Sequence, residues 1–68
     1  MKAGELHDRM AVKPFRPFTI ETQGGQTFEI AGEENLLLPK AKPEIAIVFV
    51  EGHMYIIDID SINVLAIK

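Results

Sequence analysis

Ile45–Val50 is an unbroken apolar run rich in β-branched residues, and Met54–Ile59 nearly matches it across Glu51-Gly52-His53. Two short runs of this kind around a Gly-containing turn predict a β-hairpin. Side chains alternate along a strand, so Ile45, Ile47 and Phe49 occupy one face and Ala46, Val48 and Val50 the other. Neither face tolerates water at this scale without leaving a contiguous apolar patch. Either the sheet curls into a small barrel that covers one face, or a second copy of the chain covers what remains. At 68 residues the chain is one small domain, too short for a second domain or a doubly wound nucleotide-binding sheet. Folding at this size buries only about 60% of the unfolded surface, which leaves stability marginal. Cysteine is absent, which removes disulfides, thiolate metal sites and a Cys nucleophile and leaves oligomerisation as the extra source of stability.

The rest of the chain supplies the other elements. Leu6 and Met10 are spaced i, i+4 within residues 1–12, enough for one short helix with a narrow apolar stripe. Pro14 and Pro17 cannot continue that helix, and they bias Lys13 and Arg16 toward extended conformations. Pro14-Phe15-Arg16-Pro17-Phe18 therefore reads as an extended connector whose two rings plug one end of the core. From Phe18 the period becomes two: Phe18, Ile20 and Thr22 point one way, Thr19 and Glu21 the other. Gln23-Gly24-Gly25-Gln26 turns the chain into Thr27-Phe28-Glu29-Ile30, a first hairpin. Leu36-Leu37-Leu38 is a short buried strand, and Pro39–Pro43 an exposed loop. Asp60-Ser61 turns the chain before a last strand over 62–68. The predicted class is mainly β: a small antiparallel SH3-like or Sm-like barrel of five to six short strands with one N-terminal helix. Residues 1–13 form the helix and connector, and residues 14–68 the curled sheet.

Net charge is −3, which argues against a surface that binds nucleic acid or anionic membrane as a whole. Lys2, Arg9, Lys13 and Arg16 outnumber Glu5 and Asp8 in residues 1–20, so one end is basic and the body acidic. No apolar run approaches a membrane span and the first residues lack the apolar core of a secretion signal, so the expected compartment is the cytoplasm.

Few residues have the spacing that chemistry needs. His7 falls on the helix and His53 in the hairpin turn, with no ligand motif to join them. Asp58 and Asp60 share one side of a strand, a spacing that suits acid–base work or a divalent cation. Alternation explains them equally: with Ile57 and Ile59 in the core, both carboxylates face water. Ser61 has no nucleophile elbow, and Gly24-Gly25 has no following helix to make a phosphate cradle. No metal, no cofactor and no enzymatic activity are expected. Arg9, Lys13 and Arg16 interleave with Phe15 and Phe18 in a composition that suits single-stranded nucleic acid, with Lys40 and Lys42 as contributors from the central loop.

Pro14-Phe15-Arg16-Pro17-Phe18-Thr19-Ile20, the Gly24-Gly25 turn, Phe28-x-Ile30 and the Val-rich closing hairpin together resemble a family of small uncharacterised bacterial proteins. This resemblance covers nearly the whole chain and implies a short helix, a glycine turn and an Ile/Val-rich C-terminal strand pair, without an activity. Residues 19–28 are also similar to the first motif of Sm-like proteins, whose helix and five curled strands assemble into RNA-binding rings. Asn35 lies near the place of that family's uridine-pocket residues, while Asp60-Ser61-Ile62-Asn63 replaces the glycine of its second motif. The second resemblance therefore implies topology more than RNA binding.

Two functions from different classes follow. The first is a non-enzymatic β-barrel interaction module that self-associates, with Val48, Val50, Tyr55, Ile57 and Val64 at the interface and residues 62–67 as an edge strand. The second is an Sm-like RNA-binding ring that uses Arg16, Asn35, Lys40 and Lys42.

Overall fold

The computed structural model describes residues 3–67. Met1, Lys2 and Lys68, which the expected first helix and last strand included, lie outside the described residues. Helix α1 spans Ala3–Met10, with Glu5 in its first turn and Arg9 in its last, the signs that complement the helix dipole. Leu6 is fully buried and Met10 packs against the core, so the i, i+4 stripe faces inward as its spacing predicts. The amide of Ala11 closes the last turn on the His7 carbonyl at 3.0 Å. Beyond it the connector bends at residues 13–14, where the Lys13–Pro14 bond is cis, and leads into the first strand. An ion pair from Lys13 to Glu33 ties it down. Phe15 lies half-buried against fully buried Phe18, with ring centroids 6.0 Å apart.

Six strands follow: β1 (Phe18–Thr22), β2 (Thr27–Ile30), β3 (Leu36–Leu37), β4 (Ile45–Val50), β5 (His53–Asp58) and β6 (Ile62–Ile67). They pair as two antiparallel three-stranded sheets, in the orders β2-β1-β6 and β3-β4-β5. The mainly β class with one N-terminal helix is as expected. The strands do not close into one hydrogen-bonded barrel, because 3-10 turns at Glu33–Asn35 and Ile59–Ser61 carry the chain between the sheets. The second corner is bonded on both sides. Ile59 N–H donates to the Glu44 carbonyl at 2.9 Å, Gln23 N–H to the Ser61 carbonyl at 2.7 Å, and the Ser61 hydroxyl to the Asp58 carbonyl at 2.7 Å.

Strand β1 is central in its sheet, with Ile20 opposite Phe28 on one side and Leu65 on the other. Its alternation places Phe18, Ile20 and Thr22 inward, all three buried. Thr22 is the only buried polar residue described, and its hydroxyl accepts from Gln26 N–H at 3.2 Å in the β1–β2 turn. Gly25, at φ +85°, supplies the left-handed step of that turn. The β4–β5 turn is one residue shorter than its sequence suggests. Glu51 and Gly52 form it alone, at φ +51° and +78°, and His53 is already in the strand opposite Val50. Positive φ at both central residues matches the twist of the flanking strands.

Inward side chains of both sheets form one core with Leu6: Phe18, Ile20, Phe28 and Ile30 from the first, Leu36, Ala46, Val48 and Ile57 from the second. The accessible surface is 4458 Å², close to the roughly 4,300 Å² expected for a compact monomer of this mass. The radius of gyration, 10.9 Å, matches the expected value of about 11 Å. Exposed apolar residues therefore do not come from loose packing. No helix among the described residues is long and apolar enough to cross a membrane.

Candidate interaction surface

Strands β3, β4 and β5 have one covered face and one open face. Residues directly opposite each other in an antiparallel ladder share a face. Ala46 with Ile57, and Val48 with Leu36, look into the core, and Tyr55, opposite Val48, shares their face. Leu37, Ile47 and Ile56 form a row across all three strands on the outer face, and Phe49 with Met54 forms the next. Met54 and Ile56 are each 60% exposed, Leu37 50% and Phe49 39%. Neither row contains a charged side chain. Ile45 opposite exposed Asp58 closes one end of the face, and the Glu51-Gly52 turn the other. The open side chains amount to on the order of 400 Å² of apolar surface, the size of the largest patch on a typical monomer, which is often functional.

The residues expected at the interface divide. Val48 and Ile57 belong to the core, at 0% and 9% exposure, so they are not available to a partner of the folded chain. The first sheet and α1 already cover the face they were assigned to. Val50 is half-buried and Tyr55 37% exposed, at the rim of that covered face. Val64 is exposed on the outward side of the other sheet, opposite Glu21. The missed surface is Leu37, Ile47, Phe49, Met54 and Ile56. One signal for it was present in the sequence: Asp58 shares the phase of Met54 and Ile56, which marks that phase as the outer one.

Where Tyr55 reaches the rim, the space between the sheets opens as a cleft of about 270 Å³ lined by Thr27, Phe28, Glu29, Val50, Glu51 and Tyr55. The Phe28 and Tyr55 rings meet there at 5.1 Å and 51°, and His53 lies 6.3 Å from Tyr55, centroid to centroid. No local pattern brings Phe28 to Tyr55, since they lie on different hairpins.

The residues expected to contact nucleic acid do not share one role. Arg16, Lys40 and Lys42 are exposed. Asn35 is structural on both sides of its amide: Oδ1 accepts from Gly32 N–H at 3.0 Å, and Nδ2 donates to the Phe49 carbonyl at 2.8 Å. It caps the first 3-10 turn and ties it to β4. Phe15 and Phe18 are spent on each other and on the core rather than displayed for base stacking. Asn35→Ala is therefore expected to cost about 1–2 kcal/mol of stability through two lost bonds, read as a lower urea midpoint at unchanged slope. A neutral result would mean that water replaces both bonds. Asp58 and Asp60 are both exposed, and no group of three or more His, Asp or Glu residues among those described is placed to hold a metal ion. The chain matches no family model, no curated protein and no solved structure.

Proposed function

We propose that the protein is a non-enzymatic β-sheet interaction module that self-associates, a second copy packing on the outer face of β3-β4-β5. The observation that carries this reading is the uncharged double row of Leu37, Ile47 and Ile56 beside Phe49 and Met54. A two-fold axis through that face sets apolar rows against apolar rows, in the manner of two stacked sheets. The acidic net charge of each copy does not oppose the contact, because the acids lie around this face rather than on it. Two such faces together would remove about 800 Å² of apolar surface from water, the size of a weak, concentration-dependent association.

Light scattering after size exclusion tests this, at low and high salt and with absorbance at 260 nm recorded across the peak. The expected mass is twice the 7.6 kDa of one chain, held or strengthened by salt as apolar contacts are. A monomer at hundreds of micromolar overturns the proposal. So does a larger species that carries nucleic acid and loses it at high salt, the outcome an RNA-binding ring predicts through counterion release.

A further inference from the structure

The cleft at the open end of the core is independent of the self-association face, because Tyr55 opposes Val48 on the inner side of the second sheet. Its volume of about 270 Å³ lies just below the range of roughly 300–1,000 Å³ for whole small-molecule ligands. It suits one long side chain rather than a nucleotide. Its floor is aromatic: Phe28 is buried to 7% exposure, and the Tyr55 ring meets it at a tilt of 51° with part of its own surface open.

Glu51 stands over this floor in a backbone conformation that its side chain does not favour. A turn with both central residues at positive φ selects Asn, Asp or Gly at its first position, because their short or absent side chains tolerate the left-handed region. Glu has neither advantage, yet it occupies that position at φ +51°. It also forms no hydrogen bond or ion pair with any other described residue. Turn chemistry and internal pairing therefore both fail to account for the carboxylate. A strained residue at the lip of a cleft is the kind of outlier from which function can be inferred.

An aromatic face beside an unpaired carboxylate attracts a cation, and a planar guanidinium best of all, since it stacks on the ring while its N–H groups face the carboxylate. We propose that the cleft binds an arginine side chain presented by a polypeptide partner, with Tyr55 as the stacking surface and Glu51 as the counter-charge. The acidic balance of the body of the chain favours the approach of such a segment.

Tyr55 is the only tyrosine and tryptophan is absent, so tyrosine fluorescence of the full chain reads the site directly. The probes are an acetyl-Gly-Arg-Gly-amide peptide, its citrulline counterpart, which keeps the shape without the charge, and free arginine. The expected result is a saturable change with the arginine peptide, weakened about tenfold or more by citrulline and by Glu51→Gln. Glu51→Asn suits the turn better, so it should weaken binding equally while raising the melting temperature. That separates loss of the counter-charge from loss of the fold. An equal response to the arginine and citrulline peptides overturns the proposal, as does undiminished binding by Glu51→Gln. Free arginine binding as tightly as the peptide overturns the polypeptide source.

Discussion

Phe18→Ala is expected to lower stability by about 3–5 kcal/mol and leave a substantial unfolded fraction at room temperature, whereas Phe49→Ala should change the stability of the monomer by less than about 1 kcal/mol. Phe18 has no exposed surface, joins the Phe15 ring and sits at the end of the central strand among inward side chains of both sheets. Truncating a buried Phe costs about 3–5 kcal/mol in lost transfer energy and cavity. A chain this small has a total stability on the order of 5 kcal/mol, so the mutation consumes most of it. Phe49 is 39% exposed on the open face of β4, and its ring leaves no closed cavity behind. Urea titrations followed by circular dichroism compare the two. A reversed order of effects would mean that the second sheet presents its other face to the core.

Ile56→Lys, alone or with Met54→Lys, is expected to convert the dimer to a monomer without unfolding it. Ile56 is 60% exposed and central in the row that crosses three strands. Under two-fold symmetry one substitution places two ammonium groups in the same apolar contact. Desolvating unpaired charges costs several kcal/mol, so the dissociation constant should rise at least about a hundredfold. In the monomer the lysine reaches water and the stability change stays within about 0.5 kcal/mol. Val64→Lys is the control: exposed on the opposite sheet beside Glu21, it should leave the dimer intact. Dissociation by Val64→Lys and not by Ile56→Lys, read by light scattering, would move the interface to the first sheet.

Much of the fold is legible locally. The step from Leu6-x-x-x-Met10 to Phe18-x-Ile20-x-Thr22 marks the change from helix to strand, and Pro14 and Pro17 between them show where it happens. Gly25 and Gly52 sit where positive φ is needed. Boundaries moved by a residue where turn chemistry was finer than composition: His53 entered β5 because two residues, not three, close that hairpin. Ile59 left the strand for a 3-10 turn, which the Ile62 N–H closes on the Ile59 carbonyl. Asn35 lies near the place of the uridine-pocket residues in the resemblance, but its amide is taken up by Gly32 and Phe49, partners that a linear reading cannot supply.

By itself the sequence determined the elements, their order, the inward set of β1 and β2, and the excess of apolar surface that one helix and two small sheets cannot cover. Short-range sterics and the two-residue period carry that information, and both act within a few residues. Within β5 the carboxylate of Asp58 marks one phase as the outer one, whereas within β4 only the tertiary structure decided which face the excess would occupy. Ala46-Val48 and Ile47-Phe49 are equally apolar, so local pattern leaves the faces nearly degenerate. The choice follows from how the first sheet and Leu6 fill the space against the smaller face, and that packing depends on all the elements at once. The same packing brought Phe28 beneath Tyr55 and set Glu51 over them, a juxtaposition of two hairpins that neither one encodes.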